Sequence, residues 1–450
     1  MVNVVTDISK YLMLLVMVIY TIFNFISIRV KNERHKKSLA RRQLIMVFIL
    51  LSLGYLIMFL RTEDIRYIAF GVVQFAFFIG YYIVFSNIYP KCSRLIISNT
   101  IMLFGIGMMM QTRLGFDRAL KQGLIGAAGL VISLFIPAII KHFKKLARFA
   151  WLYAIVGIGL LCLVWLVGST TYGAQLTLSL GPVQLQPSEL VKITFVFFTA
   201  SMFAKSRTFK QVIITTIVAG AHVLVLVAST DLGSGLVYFV SYLFMVFVAT
   251  HKFRYPLLGL GAGAIAAVGA YGIFSHVRVR VAIWKDPFAD YNNTGYQICQ
   301  SLFAMSSGGL WGLGLCQGEP TTIPLAWNDF IFSAICEELG IVFAVCLVLI
   351  YLGFIIQLFH VSTRLEGIFY QIIGVGFAAM VGIQVFLHIG GVTKMIPSTG
   401  ITLPLVSYGG SSVISTLLII GVIQGLYIRS DGLTAKQRAK QQEAFLEGGD

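Results

Sequence analysis

The sequence predicts an all-α protein that crosses a membrane many times. Of its 450 residues, 58% are hydrophobic and only 12% are charged, whereas soluble domains are about one quarter charged. The apolar residues form runs long enough to span a bilayer, which needs roughly 20 residues per helix. The short segments between these runs carry most of the basic residues. These observations exclude a soluble globular domain.

Thirteen apolar runs are predicted to be transmembrane helices, and twelve is the alternative count. The runs lie at about residues 10–28, 44–60, 67–89, 95–111, 122–140, 149–168, 188–204, 211–229, 234–250, 255–274, 330–358, 367–391 and 409–428. No small-residue cleavage site follows the first run, which is one of many similar runs. We therefore expect it to be a retained span and not a signal peptide.

The distribution of basic residues predicts the orientation in the membrane. A net charge of +16 would suggest a nucleic-acid partner in a soluble protein, but basic residues in short loops set membrane topology instead. An outward N-terminus places 23 of the 34 Lys and Arg residues on the cytoplasmic side. We therefore expect an outward N-terminus, an inward C-terminus, no nucleic-acid partner, and a loosely ordered cytoplasmic tail at residues 431–450.

One connection, residues 275–328, is much longer than the others and is predicted to be a functional outer loop. Within it, residues 296–305 alternate apolar and polar side chains at helical spacing, which predicts a helix on the membrane surface. Gly308 and Gly309 are expected to end that helix. Cys299 and Cys316 both lie in this loop and could form a disulfide, although pairing is the less favoured interpretation. The other four cysteines are expected to be packing residues.

Three carboxylates, Glu189, Asp231 and Asp329, lie where outer helix ends are predicted. An acidic residue in a first helical turn complements the helix dipole, and Asn328 suits an N-cap. Glu189 and Lys192 are three residues apart, so they are expected to pair on one helical face. From the residues alone, these structural roles are favoured over binding roles.

The outer loop also contains Asp286 and Asp290, four residues apart, with Pro287 between them as a helix starter. On one helical face these carboxylates could provide a general base, hold a divalent metal, or form a solvated acidic rim. Spacing alone favours the rim. Nothing in the sequence around Asp290 indicates a helix start that needs a cap. Arg280 and Lys394 are predicted to attract lipid phosphates at the outer face.

Six motifs in order carry a resemblance to a known family. They are QPSELVKI at 186–193, DLGSGLV at 231–237, RVAIWKDPF at 280–288, TGYQICQSLFAMSSGGLWGLG at 294–314, NDFIFSAICEELG at 328–340 and IPSTGITLPLVSYGGSS at 396–412. From about residue 95 to 430 the chain resembles the SEDS family (shape, elongation, division and sporulation), to which RodA, FtsW and SpoVE belong. The resemblance implies a ten-span core at 91–430, preceded by about three additional transmembrane helices at 1–90.

The resemblance further implies a peptidoglycan glycosyltransferase of the bacterial cytoplasmic membrane, which polymerises lipid II on the outer face. The family's catalytic aspartate corresponds to Asp290, which would take a proton from the acceptor 4-hydroxyl. Residues implied to bind substrate are Arg280, Lys394, Gln297, Ser301, Glu189, Lys192, Asp329 and Ser407. No cofactor is certain, but Mg²⁺ or Mn²⁺ could offset the diphosphate charge. The implied partner is a class B penicillin-binding protein transpeptidase.

Two other functions remain open at this point. A flippase that transports lipid II needs a polar path through the membrane, whereas a polymerase needs a cavity closed toward the cytoplasm. An inactive scaffold that recruits cell-wall enzymes is the third interpretation. Because the motifs are shared, they do not distinguish elongation, division and sporulation. We expect the additional segment, residues 1–90, to be dispensable for chemistry.

Overall fold

The computed structural model describes residues 2–143, 145–171, 174–180 and 183–447, which form sixteen α-helices and one small sheet. The helices are α1 (Val2–Arg29), α2 (Glu33–Thr62), α3 (Ile65–Ile88), α4 (Arg94–Leu114), α5 (Phe116–His142), α6 (Ala150–Val167), α7 (Pro187–Lys205), α8 (Phe209–Ala228), α9 (Leu232–Thr250), α10 (Arg254–Ile273), α11 (Ser275–Lys285), α12 (Tyr296–Gly308), α13 (Ile331–Leu339), α14 (Ile341–Thr363), α15 (Ile368–Val392) and α16 (Gly410–Glu447). Short 3₁₀ turns lie at Leu146–Arg148, Phe288–Asp290 and Pro320–Thr322.

A helix lies at each of the thirteen predicted positions. Within the described residues, twelve helices are long and apolar enough to cross a membrane. Helix α7 has 19 residues but carries Glu189 and Lys192, and it is not among those twelve. The predicted all-α, polytopic fold is confirmed, while the orientation of the chain stays a prediction.

The predicted span at 330–358 is wrong as a single helix, because the chain breaks at Gly340. Gly340 has φ +89°, and a Cβ there would lie 2.4 Å from the backbone nitrogen of Gly312. Only glycine fits this left-handed conformation and close approach. The break separates the short, wholly buried helix α13 from the long helix α14.

Two further regions differ from the expectation. Between α6 and α7 the described residues form an antiparallel sheet of β1 (Ser169–Thr171), β2 (Ala174–Leu180) and β3 (Val183–Leu185), in the order β1-β2-β3. The tail, which was expected to be loosely ordered, continues helix α16 as far as Glu447. Residues 435–445 are rich in Ala, Lys, Gln, Arg and Glu, which have high helix propensity.

The N-terminal helices α1 to α3 pack on the core and belong to the same apolar cluster. All residues of α4 except Arg94 and Arg113 are buried. A buried polar network joins this helix to α1 and α14. The amide of Asn99 donates to Asn24 (3.0 Å) and Gln357 (3.1 Å), and the hydroxyl of Tyr20 donates to Asn99 (2.8 Å). Such amides in a bilayer need partners. This packing gives residues 1–90 a structural role, while their dispensability for chemistry stays a prediction.

The outer loop, which includes α12, is attached to the bundle by contacts with α13 and α4. Helix α12 confirms the helix predicted at 296–305, and it ends as predicted where Gly309 adopts φ +54°. The Nε of Arg113, in α4, lies 2.8 Å from Oε1 of the buried Glu338, and its Nη2 donates to the carbonyl of Gly318 (3.0 Å). Burial raises the pKa of Glu338 to about 7, although Arg113 opposes this rise. These contacts fix the loop against one end of the bundle.

Candidate active site

A cavity of about 120 Å³ lies between α11, α12, the start of α13 and the segment after α15. Its walls combine two cationic side chains with one carboxylate, an amide, hydroxyl groups and apolar side chains. The polar lining consists of Arg280, Thr294, Gln297, Asp329, Lys394 and Ser398, beside Trp284 and Phe330. Four of these residues, Arg280, Gln297, Asp329 and Lys394, were predicted from the sequence to bind substrate, and the fold brings them together.

Arg280 and Lys394 are held in place by backbone carbonyls. Nη1 of Arg280 donates to the carbonyl of Ser398 (2.9 Å), and Nζ of Lys394 donates to that of Lys285 (3.3 Å). The indole Nε1 of Trp284 donates to the carbonyl of Lys394 (3.1 Å). Lys394 has φ +61°, a conformation that costs energy for a residue with a side chain. These contacts keep the two cations, which lie 114 positions apart in the chain, in the lining of the same cavity.

Asp329 places a buried carboxylate oxygen at the same cavity. Its Oδ1 is buried, without a hydrogen-bond partner among the described residues. Gly400 has φ +70°, and a Cβ there would lie 3.9 Å from both Arg280 Nη2 and Asp329 Oδ2. Burial raises the pKa of Asp329 to about 6, and the Arg280 guanidinium limits the rise. The predicted cap at Asn328 is wrong, because Phe330 is the N-cap of α13.

Asp290 lies beside the cavity and not in its lining. Oδ2 accepts hydrogen bonds from the hydroxyl and the backbone N–H of Thr294, and Oδ1 accepts one from the Asn293 amide (2.9 Å). These bonds, first that of the Thr294 hydroxyl and then that of the Asn293 amide, lower the pKa of this exposed carboxyl. Asp290 closes the turn that leads into α12. It is not a helix cap, because the N-cap of α12 is Gly295.

Asp286 and Asp290 do not share a helical face. Helix α11 ends at Lys285, and Asp286 Oδ1 accepts from the backbone N–H of Phe288 (3.0 Å). Asp290 ends the 3₁₀ turn that follows. Each carboxylate therefore stabilises its own turn.

Ser301 and Ser407, also predicted to bind substrate, lie outside the cavity lining. Ser301 is fully buried, and its Oγ lies 2.6 Å from Oγ of Ser333. Ser407 Oγ accepts from the N–H of Leu403 (2.9 Å) and donates to the carbonyl of Asn328 (2.7 Å). The Ser301 hydroxyl connects α12 to α13. The Ser407 hydroxyl closes the turn that precedes α16.

Glu189 and Lys192 form the predicted pair inside the bundle, away from the cavity. Lys192 Nζ lies 2.7 Å from Glu189 Oε1 and donates to Gln384 Oε1 (3.0 Å). Glu189 Oε2 accepts from the hydroxyl of Ser415 (2.9 Å). The network joins α7 to α15 and α16.

The structural role predicted for Asp231 is also found. Asp231 is the N-cap of α9, and its Oδ1 accepts from the N–H of Ser234 (3.1 Å). Its Oδ2 accepts from the hydroxyl of Ser188 (3.2 Å), which links α9 to α7.

Trp284, Thr294, Ser398 and Gly400 are site residues that sequence reasoning missed. All four lie inside or beside the quoted motifs, which was the available signal. All six cysteines are free, so Cys299 and Cys316 do not form the disulfide considered above. In the described part of the chain, no three His, Cys, Asp or Glu side chains are grouped closely enough to hold a metal ion.

Comparison with known proteins gives the same family as the motifs. The chain is 32% identical to the peptidoglycan glycosyltransferase RodA of Mycobacterium tuberculosis over 79% of this chain and 82% of the relative. It is 31% identical to the probable peptidoglycan glycosyltransferase FtsW of Bacillus subtilis, over 65% and 77% of the two chains. It is 30% identical to the stage V sporulation protein E of the same species, over 68% and 86%.

Solved structures share the architecture. One is a chain from a study of the structural coordination of polymerization and crosslinking by a peptidoglycan synthase complex, with TM-score 0.64 and 26% identity over 74% of this chain and 97% of that chain. Another is the rod shape determining protein RodA of Thermus thermophilus, with TM-score 0.57 and 25% identity over 74% and 95%. A family model described as "Cell cycle protein" matches residues 91–430. The chain therefore belongs to the FtsW, RodA and SpoVE family of multi-pass bacterial membrane proteins.

Proposed function

We propose that this protein is a peptidoglycan glycosyltransferase that polymerises lipid II at the outer face of the cytoplasmic membrane. The observation that carries the proposal is the cavity where Arg280 and Lys394 lie with Asp329, next to Asp290. It is built from the segments that carry the family motifs. Relatives of this chain are named peptidoglycan glycosyltransferases, which supports the same activity here.

In the proposed reaction, the acceptor 4-hydroxyl oxygen attacks the anomeric carbon of the donor sugar. Asp290 takes the hydroxyl proton as the C–O bond forms, and the bond to undecaprenyl diphosphate breaks. A single inversion converts the α-linked diphosphate into a β-linked glycan. The lowered pKa of Asp290 keeps this carboxylate ionised at neutral pH and able to accept a proton.

Arg280 and Lys394 are proposed to hold the diphosphate and offset the charge that develops as it leaves. Both cations line the cavity, and both are anchored to backbone carbonyls. Pre-positioned charges stabilise a leaving group without having to reorganise during the reaction. Mg²⁺ or Mn²⁺ would take most of its ligands from the diphosphate and water, because the described residues offer no carboxylate cluster.

Asp329 is proposed to orient the acceptor sugar. Its buried Oδ1 leaves one acceptor for a sugar hydroxyl. A pKa of about 6 lies closer to neutral pH than that of Asp290, and general bases work best when the pKa is near the working pH. Asp329 is therefore the alternative general base, and the pH profile distinguishes the two carboxylates.

A polymerase fits the cavities better than a flippase. The cavity at the candidate site shares no lining residue with the two cavities at the other end of the bundle that include Lys36 and Ser93. A carrier needs a polar path that connects both faces. The charged pair of Glu189 and Lys192 is buried and bonded to Gln384 inside the bundle, which favours a packed interior over an open polar path.

The deciding experiment incubates purified protein with labelled lipid II, alone and with a candidate class B penicillin-binding protein. A class B penicillin-binding protein is the proposed partner, and the similarity to a chain in a peptidoglycan synthase complex supports it. Glycan ladders that disappear with Asp290→Asn support the polymerase. Lipid II translocation in vesicles without ladders supports the flippase, and neither activity supports the scaffold.

A further inference from the structure

Cationic side chains line a cavity at the end of the bundle opposite the candidate active site. Helix α4 begins at this cavity, while its other end contacts the outer loop through Arg113. The cavity measures about 150 Å³, and its lining includes Lys36, Lys37, Lys91 and Arg94. One carboxylate, Glu33, shares the lining and pairs with Lys36 at 2.7 Å. Positive charge therefore exceeds negative charge in the lining.

Two helix N-termini add to this positive field. Helix α2 starts at Glu33 and α4 at Arg94, and both residues line the cavity. Exposed backbone N–H groups at helix N-termini favour anions. The Nε of Arg94 is buried, without a hydrogen-bond partner in the described part of the chain. The Gln424 side chain bonds both backbone groups of Ser93, which fixes α16 against the cavity.

The cationic cavity continues into an apolar groove. A second cavity of about 50 Å³ shares Lys36, Ser93, Leu95 and Tyr427 with the first and extends to Ile28. Ile28 also lines a third cavity of about 500 Å³ between α1 and α14. The wall of this groove is formed by Ile22, Phe25, Ile26, Leu349 and Ile356, with Arg29 at its edge.

We propose that this continuous surface is a binding site for an anionic phospholipid. The cavity with Lys37 and Arg94 takes the headgroup phosphate, because lysine and arginine side chains form charge-assisted hydrogen bonds with phosphate. The groove between α1 and α14 takes an acyl chain. Free phosphate would fill the cationic cavity only and leave the apolar groove without an occupant. The site lies where the N-terminal helices join the core, and it does not depend on the polymerase proposal.

The test measures phospholipid bound to the full chain in detergent by native mass spectrometry. The probes are phosphatidylglycerol and phosphatidylcholine with identical acyl chains. The variant Lys37→Gln with Arg94→Gln removes two cations from the cavity. Each juxtamembrane cation contributes about a five-fold change in affinity, so phosphatidylglycerol binding should fall about 25-fold. The matched control, Arg207→Gln with Lys210→Gln, removes one exposed cation from the loop between α7 and α8 and one from the first turn of α8. It should change binding less than two-fold.

A third variant, Ile26→Trp, fills the groove and should reduce retention of long-chain phosphatidylglycerol while the melting temperature stays near that of the parent. Equal binding of the two lipids, or an equal loss in the control variant, would overturn the site. Displacement of phosphatidylglycerol by glycerol phosphate at equal concentration would overturn the lipid assignment in favour of a free phosphate. Unchanged retention in Ile26→Trp would remove the acyl groove from the proposal.

Discussion

Thr294 donates two hydrogen bonds to one oxygen of Asp290, through its backbone N–H and its hydroxyl. The same Thr294 lines the cavity that contains Arg280 and Lys394. Asp290 is therefore oriented by the residue that separates it from the cavity. Both hydrogen bonds favour the ionised carboxylate, and together with the bond from the Asn293 amide they lower the pKa of Asp290.

Replacing Asp290 by Asn should abolish nearly all polymerisation. The amide keeps the acceptor oxygen that holds Thr294, so the turn before α12 should survive, but it takes no proton. General-base catalysis contributes roughly 10²- to 10⁴-fold, and the rate should fall by that factor. Glycan formation from labelled lipid II measures the effect. Asp286→Asn is the matched control and should stay within about three-fold of the parent; the opposite pattern would transfer the role to Asp286.

The pH profile should reveal whether Asp329 takes part. Because burial raises its pKa to about 6, Asp329 is protonated below that pH and ionised above it. The unfolded chain releases this proton at lower pH, so the stability contributed by Asp329 is present below pH 4 and is lost as pH rises to about 6. If the ionised carboxylate binds the acceptor, kcat/KM should rise around pH 6.

Asp329→Asn should flatten that rise between pH 5 and 8, while Asp290, with its lowered pKa, stays ionised throughout this range. The same inflection in Asp329→Asn would assign the titration to another group.

Arg280→Ala should weaken productive lipid II binding. A charge-assisted contact to phosphate contributes roughly 1.5 to 3 kcal/mol, which corresponds to about 10- to 100-fold in apparent affinity. The matched control is Arg278→Ala, because Arg278 donates to the carbonyl of Gly272 (2.7 Å) and is not in the cavity lining. Titration of polymerisation against lipid II concentration separates the variants. If Arg280→Ala binds lipid II with normal affinity, Arg280 has no role in substrate binding and only the structural role of its bond to Ser398.

Asn24→Leu should destabilise the bundle, because the amides of Asn99 and Gln357 lose a buried partner. An unsatisfied buried polar group costs about 1 to 3 kcal/mol. Thermal unfolding in detergent should show a lower Tm, while Ile22→Leu at an exposed position of the same helix should not. By the same reasoning, a chain that lacks residues 1–90 should not fold. A truncated chain with normal Tm and full polymerisation would restore the view that this segment is dispensable.

The N-terminus should lie outside the cytoplasm, because this orientation places 23 of the 34 Lys and Arg residues inside. A cysteine introduced before Met1 should react with a membrane-impermeant thiol reagent in intact cells. A cysteine placed after Asp450 is the matched control and should react only after lysis. The reverse labelling pattern would show that the predicted topology is inverted. Labelling of both cysteines on the same side would show that the number of spans is even.

The sequence predicted those features that depend only on residues close together in the chain. Apolar length located the helices, the i,i+3 spacing identified the pair of Glu189 and Lys192, and Gly309 marked the end of α12. Long-range packing determined the rest. The break at Gly340 depends on the backbone of Gly312, which lies 28 residues earlier in the chain.

In the candidate site, too, the sequence predicted individual residues but not the long-range contacts between them. Arg280 and Asp329 were predicted as site residues, but their approach around Gly400 requires three separate segments to meet. The role of Thr294 was also hidden, because a threonine four residues after an aspartate has no distinctive pattern.

Helix α7 has a consequence for how the chain is made. Its charged pair is completed by Gln384 and Ser415, which are synthesised about 190 to 230 residues later. When α7 leaves the ribosome, Glu189 and Lys192 have only each other in an apolar bilayer, where ionised side chains are costly. We therefore expect stable insertion of this helix to depend on α15 and α16. Nascent chains that stop before residue 384 should leave α7 exposed to membrane quality-control proteases, so loss of the C-terminal helices would remove the whole protein from the cell.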